Sequence, residues 1–308
     1  MRAFIFPGQG SQAVGMGAAL AGASRPAQDV FAEVDEALGQ HLFRIMREGP
    51  DEVLKLTENA QPAIMAHSIA VLRTMGVQIA DVANFVAGHS LGEYSALCAA
   101  GSFNLATTAK LLKLRGQAMQ QAVPVGQGAM AALLGADLTL AQKIADAAAQ
   151  GEVCTVANDN DPTQVVISGH KGAIDRAIEL AKDMGAKRAL PLPVSAPFHC
   201  PLMQPAAEAM ADALSYVVLG APAVPLYANV TAQPETDPDT IRNQLVEQVT
   251  GMVRWRESVA NMFDAGVHEF VEFGGKVLGG MVKRITPDAK VTSVVTIEDI
   301  EALAKETA

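Results

Sequence analysis

The chain has 308 residues, of which 50% are hydrophobic, and a formal net charge of −10. This apolar content is ample for a large core, so we expect one large domain with room for an insert. The acidic balance argues against a general nucleic-acid-binding protein, because phosphate affinity comes mainly from clustered lysines and arginines.

The three cysteines, Cys98, Cys154 and Cys200, are far apart in the sequence and form no Cys-x-x-Cys pair. This spacing predicts neither a disulfide framework nor a zinc site, and it fits a reducing compartment. An apolar strand pattern begins at residue 3, which leaves no room for a signal peptide, and no later uncharged run is long enough to span a bilayer. We therefore expect a soluble protein of the cytoplasm with no membrane association.

Apolar runs that predict strands alternate along the chain with segments of helical period. These runs are residues 3–6, 85–87, 225–228, 269–272 and 292–295. Such alternation is typical of an α/β sheet layered by helices. We therefore expect a mostly parallel sheet.

The segment from about residue 128 to residue 193 departs from that alternation. Its predicted elements are a strand at 130–134, a helix at 138–150, strands at 153–157 and 164–168, a helix at 172–184 and a strand at 189–192. The order βαββαβ is that of a ferredoxin-like unit, and the proline-bearing loops on either side suit crossings between two subdomains. We expect a large subdomain of residues 1–125 and 197–308 and an inserted subdomain of residues 126–196.

The segment Gly88-His89-Ser90-Leu91-Gly92 lies between a predicted strand and a helix-compatible run. A G-x-S-x-G turn requires this context, since its serine sits on a tight strand-to-helix turn. Ser90 is therefore the candidate nucleophile, and the backbone N–H of Leu91 would face a developing oxyanion. A chance match to the motif is the alternative interpretation.

A general base is expected at a distance in the sequence, since His89 on a sharp turn cannot readily aim its side chain at its neighbour. Of the six histidines, His199 is the best candidate, because it follows a predicted strand where the chain re-enters the large subdomain. Four other histidines lie in segments typical of ordinary helix faces or loops, which favours structural roles for them: His41, His67, His170 and His268.

A helix predicted at about residues 104–121 carries an arginine on its apolar side. Its polar stripe consists of Lys110, Lys113, Gln117, Gln120 and Gln121. Counting about 100° per residue, Arg115 points almost opposite to that stripe. A guanidinium turned toward the core is costly unless an anion meets it, and its planar fork suits a carboxylate. An internal salt bridge and a carboxylated acyl substrate remain the two interpretations.

The first strand is followed by Gly8-Gln9-Gly10-Ser11-Gln12-Ala13, which formally satisfies the dinucleotide-binding pattern G-x-G-x-x-A. That fold needs a prompt helix and then a second strand ending in an acidic residue about 20 positions on. Here residues 26–38 have helical character instead. This favours a loop whose glycines allow close approach of the backbone to a ligand, with Gln9 offering an amide donor.

Taken together, several segments closely resemble the malonyl-CoA:acyl carrier protein transacylases over nearly the whole chain. The matching segments are residues 6–12, Gln61-Pro62, residues 88–94, Arg115, residues 158–169, Phe198-His199 and residues 274–278. The resemblance implies a hydrolase-like α/β subdomain with a ferredoxin-like insert between Ser90 and His199. Where the family has Asn-Pro this sequence has Gly251-Met252, and Gly275 stands where a proline is usual.

Roles for single residues follow from the resemblance by matching position. Ser90 would be the nucleophile, His199 its base, and Arg115 would hold a malonyl carboxylate. The remaining expected residues are Gln9 and the Leu91 N–H as oxyanion donors, Gln61 as a pocket residue, the Gln248 carbonyl orienting the histidine, and Asn160 in support. Phe198 resembles the malonyl-selecting form of its motif.

The resemblance implies ping-pong transfer of a malonyl group from malonyl-CoA to the phosphopantetheine thiol of acyl carrier protein for fatty acid biosynthesis. We expect no metal or bound organic cofactor, coenzyme A entering only as the thioester substrate, and a monomer. Acyl carrier proteins are acidic, so a local basic patch is expected on this acidic chain. Candidate patches are Lys182, Lys187 and Arg188, or Lys110 and Lys113.

Three other functions compete with the transferase. A serine esterase or thioesterase would need a triad acid or a water path, and Asp159 and Asp161 are available in the sequence. A nucleotide-binding module would rest on Gly8, Gly10 and Ala13 alone. A non-catalytic carrier-protein adaptor would give Ser90, His199 and Arg115 no shared function.

Overall fold

The computed structural model describes residues 1–307, with side chains described as far as residue 305. The expected subdomain bound at residue 308 lies outside the described residues. Within the described chain, none of the helices combines the length and the apolar run needed to cross a bilayer.

The elements alternate between strands and helices for most of the chain. Strands within residues 1–307 are β1 Arg2–Phe6, β2 Phe85–Gly88, β3 Gly128–Leu134, β4 Cys154–Asp161, β5 Gln164–His170, β6 Arg188–Pro191, β7 Leu226–Tyr227, β8 Pro234–Glu235, β9 Glu269–Phe273 and β10 Lys290–Val294. Helices in the same range are α1 Ala18–Ala23, α2 Arg25–Leu38, α3 Leu42–Glu48, α4 Asp51–Leu54, α5 Thr57–Met75, α6 Ile79–Val82, α7 Leu91–Ala99, α8 Leu105–Gln121, α9 Leu138–Ala149, α10 Lys171–Asp183, α11 Gln204–Ser215, α12 Pro238–Thr250, α13 Trp255–Asp264, α14 Leu278–Ile285 and α15 Ile297–Thr307. A short 3₁₀ helix spans Pro201–Met203.

The larger sheet has the strand order β10-β9-β1-β2-β7-β8. Its neighbours pair in parallel except β7 and β8, which pair antiparallel. Buried apolar runs such as residues 3–6 of β1 are typical of parallel sheets covered on both faces. The expected mostly parallel sheet with flanking helices is confirmed.

Side chains of β1 alternate between two cores, because successive side chains of a strand point to opposite faces of its sheet. Phe4 and Phe6 belong to the larger cluster, which includes buried residues of α2, α5, α8 and α11. Ala3 and Ile5 belong to a second cluster with Trp255 of α13. Helices therefore cover both faces of the larger sheet, and the carboxyl ends of β1 and β2 meet at one edge.

The second sheet is antiparallel, with the order β4-β5-β3-β6. Helices α9 and α10 cover it and share with it a separate apolar core. Strand β4 runs to Asp161, four residues beyond the predicted end at residue 157, and its pairing with β5 is irregular at Val156 and Asn158 and again at Asp159 and Asp161. The prediction was wrong there because the polar run 158–161 lacks a strand pattern, although its four side chains are buried and those of residues 159–161 are bonded.

Candidate active site

The turn between β2 and α7 places Ser90 at the carboxyl edge of the larger sheet. Ser90 has φ 54° and ψ −112°, a backbone conformation that is unusual for a residue with a side chain. A Cβ atom at Gly88 would overlap the backbone of Gly92, and one at Gly92 would overlap the carbonyl oxygen of Phe6. Both glycines are therefore required for the turn to pack against β1.

His199 lies in the loop after β6 and meets Ser90 although the two are far apart in the sequence. Its Nε2 atom is 2.8 Å from Ser90 Oγ, and its Nδ1 atom is 2.8 Å from the backbone carbonyl oxygen of Gln248. A carbonyl oxygen only accepts hydrogen bonds, so the Nδ1 atom carries the proton and Nε2 is free to accept one.

Burial is the main cause of a lowered His199 pKa, and the nearby Arg115 cation lowers the pKa further, to about 3. A neutral imidazole is the form that can take a proton from Ser90. The candidate base is therefore neutral near pH 7, and the partner of its Nδ1 atom is a backbone carbonyl rather than a carboxylate.

Arg115 on α8 is buried beside Ser90, with 1% of its surface exposed. Its guanidinium donates to Gln61 Oε1 at 2.9 Å, to Ser90 Oγ at 3.1 Å and to Gln248 Oε1 at 2.8 Å. All three acceptors are neutral, the Nε atom has no partner among the described atoms, and Arg115 forms no ion pair within the described residues. The internal salt bridge considered from the sequence is therefore wrong.

Six of the eight sequence-predicted site residues line one pocket of about 420 Å³: Gln9, Gln61, Ser90, Leu91, Arg115 and His199. The glycine-rich loop reaches this pocket because it packs on the serine turn, where a Cβ atom at Gly8 would lie 2.8 Å from the carbonyl oxygen of His89. Phe198 also lines the pocket.

The dinucleotide interpretation of the loop of residues 8–13 is wrong. That interpretation needs a second strand soon after the first helix, whereas helices α1–α6 lie between β1 and the next strand, β2.

The other two predicted site residues lie behind the pocket lining. Gln248 on α12 is fully buried and contacts Ser90, Arg115 and His199. Asn160 on β4 does not line the pocket; its Oδ1 atom is 2.8 Å from His89 Nε2, so its contact is with the residue before the nucleophile.

The aspartates that a hydrolase triad could have used are bonded elsewhere. Asp159 forms an ion pair with Arg256 at 2.8 Å, and Asp161 forms one with Arg284 at 2.8 Å. Since the Nδ1 atom of His199 faces a backbone carbonyl, neither aspartate orients the histidine.

Two buried residues at the serine turn were missed from the sequence. Glu93 Oε2 accepts from Gln248 Nε2 at 2.7 Å and from the Asn229 backbone N–H at 3.2 Å. Asn229 in turn accepts from the Ser90 N–H at 2.8 Å and donates to the Gly88 carbonyl at 2.6 Å. A carboxyl within the apolar segment 91–100 was a usable signal for Glu93, whereas Asn229 lies in a loop without any periodic signal.

The sequence matches a known protein family. Residues 3–276 match the family model of the acyl transferase domain. That match spans most of the chain. The chain belongs to the acyl transferase domain family.

Several known proteins are similar to the chain over nearly their whole length. The malonyl CoA-acyl carrier protein transacylase of Escherichia coli (strain K12) is 47% identical over 284 residues, which are 92% of each chain. The crystal structure of an acyl-carrier-protein-S-malonyltransferase from Bartonella henselae has a TM-score of 0.97 at 53% identity, covering 99% of this chain and 98% of that one. A structure of a malonyl-transacylase in complex with a type II PKS acyl-carrier protein has a TM-score of 0.96 at 40% identity and covers 99% of each chain.

Proposed function

We propose that this acyltransferase moves the malonyl group of malonyl-CoA to the phosphopantetheine thiol of acyl carrier protein, through a malonyl ester of Ser90, and so supplies fatty acid biosynthesis. The observation that carries the proposal is a buried arginine that has no anionic partner among residues 1–305 and lies 3.1 Å from the candidate nucleophile in the same pocket. A carboxylated acyl group supplies the missing anion. Relatives named for malonyl transfer to acyl carrier protein support this substrate pair.

In the first half-reaction, Ser90 Oγ attacks the thioester carbonyl while His199 Nε2 accepts the hydroxyl proton. The resulting oxyanion is stabilised by the Leu91 N–H at the start of α7 and by the Gln9 amide, and each such donor contributes on the order of a hundredfold in rate. The tetrahedral intermediate then collapses, the C–S bond breaks, and the proton on His199 passes to the coenzyme A thiolate. Malonyl-Ser90 and free coenzyme A remain.

In the second half-reaction, the phosphopantetheine thiol of the carrier protein gives its proton to His199 and attacks the Ser90 ester. The C–O bond breaks and Ser90 recovers the proton. Between these steps burial keeps the His199 imidazole neutral, and the Gln248 carbonyl keeps the proton on Nδ1, so that Nε2 is again free to accept one. The two substrates use one site in turn, which gives ping-pong kinetics.

Arg115 selects the acyl group. Its fork meets a carboxylate in two-point contact, whereas an acetyl group offers it no charge. Gln61 and Gln248 hold the guanidinium from the protein side, and Phe198 bounds the same pocket. A malonyl group therefore gains a contact that an uncharged acyl group lacks.

The proton transfers and the oxyanion are all served by groups of the chain, so we infer a reaction without metal or bound organic cofactor. We further propose a cytoplasmic monomer that does not associate with membranes. In finer detail, residues 1–125 and 197–307 form a hydrolase-like subdomain and residues 126–196 a ferredoxin-like one. The antiparallel sheet of β3–β6, with its own helices and apolar core, supports this division.

The test is intact mass spectrometry of the protein mixed with malonyl-CoA in the absence of carrier protein, followed by peptide mapping. We expect a stable malonyl adduct on Ser90 that added carrier protein discharges. Ser90→Ala gives no adduct, and Arg115→Ala loses malonyl loading or replaces it with acetyl loading. Rapid release of malonate without an adduct would instead favour a thioesterase.

A further inference from the structure

A buried carboxyl group lies directly behind the pocket lining. Glu93 is fully buried on the first turn of α7, three positions after Ser90. Its Oε2 atom accepts the hydrogen bonds from Gln248 and Asn229, while Oε1 has no partner among the described atoms. Within the described residues Glu93 forms no ion pair, so helix packing alone does not account for a carboxyl at this position.

Gln248 connects Glu93 to the groups that surround the reacting atoms. Its Nε2 atom lies 2.7 Å from Glu93 Oε2 and 3.0 Å from the Ser90 carbonyl oxygen. Its Oε1 atom accepts from Arg115 at 2.8 Å, and its backbone carbonyl accepts from His199 at 2.8 Å. One residue therefore contacts the nucleophile turn, the base and the arginine.

The side-chain amide of Gln248 has an acceptor end and a donor end, and its two neighbours require opposite ends. Arg115 can only donate hydrogen bonds, and an ionised Glu93 can only accept them. A reversed amide would direct NH₂ groups at the guanidinium and an oxygen at the carboxylate. The orientation observed is thus the one that the cation and the carboxylate both favour.

We propose that Glu93 is a positioning residue that fixes the Gln248 amide and thereby holds Arg115 where it meets the malonyl carboxylate. This role presupposes the malonyl transfer proposed above. The carboxyl group of Glu93 forms no hydrogen bond with Ser90 among the described residues, and it acts through Gln248 and through Asn229, which accepts from the Ser90 N–H. Its loss therefore affects malonyl loading more than loading of an acyl group without a carboxylate.

Protonation of Glu93 has the same consequence as its replacement by an amide. Burial raises the pKa of Glu93 to about 7, against the lowering effects of its bonds with Gln248 and Asn229 and of the Arg115 charge. The other ionisable groups near it are Tyr94 on α7, whose pKa burial raises, and His199 beside Gln248, whose pKa of about 3 keeps it neutral in this range. Preference for malonyl is therefore expected to fall as the pH drops through about 7.

The experiment compares initial rates of Ser90 loading from malonyl-CoA and from acetyl-CoA in the wild type and in Glu93→Gln. We expect the malonyl-to-acetyl ratio to fall by about tenfold to a hundredfold, because small displacements of a positioning group have effects of that size. Glu272→Gln is the matched control: Glu272 is equally buried, but its bonds to the described residues are to the backbone N–H groups of Val277, Leu278 and Gly279 and to Ser293. The malonyl-to-acetyl loading ratio of Glu272→Gln should equal that of the wild type.

An unchanged ratio in folded Glu93→Gln overturns the proposal. Should this variant fail to fold, the wild type decides: a ratio that stays constant from about pH 8 to about pH 5 is equally fatal, since Glu93 titrates within that range. A wild type that never forms malonyl-Ser90 would instead remove the proposed function, so the two failures are separable.

Discussion

Arg115 and the pair Asp159 and Asp161 are all buried charges, but their partners differ. Each aspartate is bonded to an arginine at 2.8 Å, whereas Arg115 has, over the part of the chain that the structure describes, only neutral acceptors and an unpartnered Nε atom. A buried charge is costly unless an opposite charge meets it. The fold thus pairs each aspartate with an opposite charge, whereas for Arg115 the opposite charge is the malonyl carboxylate that we propose as its ligand.

The largest expected effect follows from replacing the unbalanced charge. Arg115→Met should lower kcat/KM for malonyl-CoA by roughly a hundredfold or more, since losing one partner of a buried charge contact costs about 2–5 kcal/mol. It should cost little stability, because a buried cation without a counter-ion contributes little to folding. Enzyme assays and thermal melting measure the two effects.

Arg256→Met is the matched control for that variant. It leaves the buried Asp159 carboxylate without its partner, so it should lower the Tm more than Arg115→Met does, while malonyl loading persists. A larger loss of stability in Arg115→Met than in Arg256→Met would break the comparison and make Arg115 a structural residue.

A smaller effect is expected at the balanced charges. Asp161 is fully buried and also accepts from the backbone N–H and the hydroxyl of Thr163. Asp161→Asn should lower the free energy of unfolding by about 1–3 kcal/mol through a weakened bond to Arg284. Malonyl loading should stay within about twofold of the wild type, because Asp161 does not line the pocket and, among the described residues, bonds neither the candidate nucleophile nor its base.

Denaturant unfolding and the loading assay together test this prediction. Asp161→Asn could instead lose both malonyl loading and a hydrolytic side activity. Asp161 would then take part in the reaction, and the thioesterase interpretation would return.

The same comparison explains how much the sequence could predict. Ser90 and Arg115 carry local signals, a glycine-flanked turn between strand and helix and a cation on the apolar side of a helix, so each could be placed before the structure was known. The order of elements was predictable for the same reason, because hydrophobic periodicity is local. Strand β4 was cut short since its last residues are polar, and their burial depends on Arg256 and Arg284 from helices α13 and α14.

Contacts between distant segments were beyond local signals. Glu93 meets Asn229 and Gln248, which lie 136 and 155 positions away in the sequence. No periodicity or motif in either segment predicts such a pairing. Gln248 itself was assigned only through the family resemblance, for the carbonyl that faces His199.

The smallest expected effect is a change in the pKa of His199. Burial is the main cause of its low pKa, and the Arg115 charge adds to it by opposing a second cation nearby. Removing that charge in Arg115→Met should therefore raise the pKa, so that the imidazole begins to take up a proton at a higher pH than in the wild type. NMR of ¹⁵N-labelled histidine side chains from about pH 8 to about pH 4 measures this directly, with the wild-type ring staying neutral over the range.

Asp161→Asn is the control for this measurement and should leave the His199 signal as in the wild type. A His199 that titrates identically with and without Arg115 would mean that burial alone keeps the base neutral, and the unbalanced cation would then serve only to bind the acyl carboxylate.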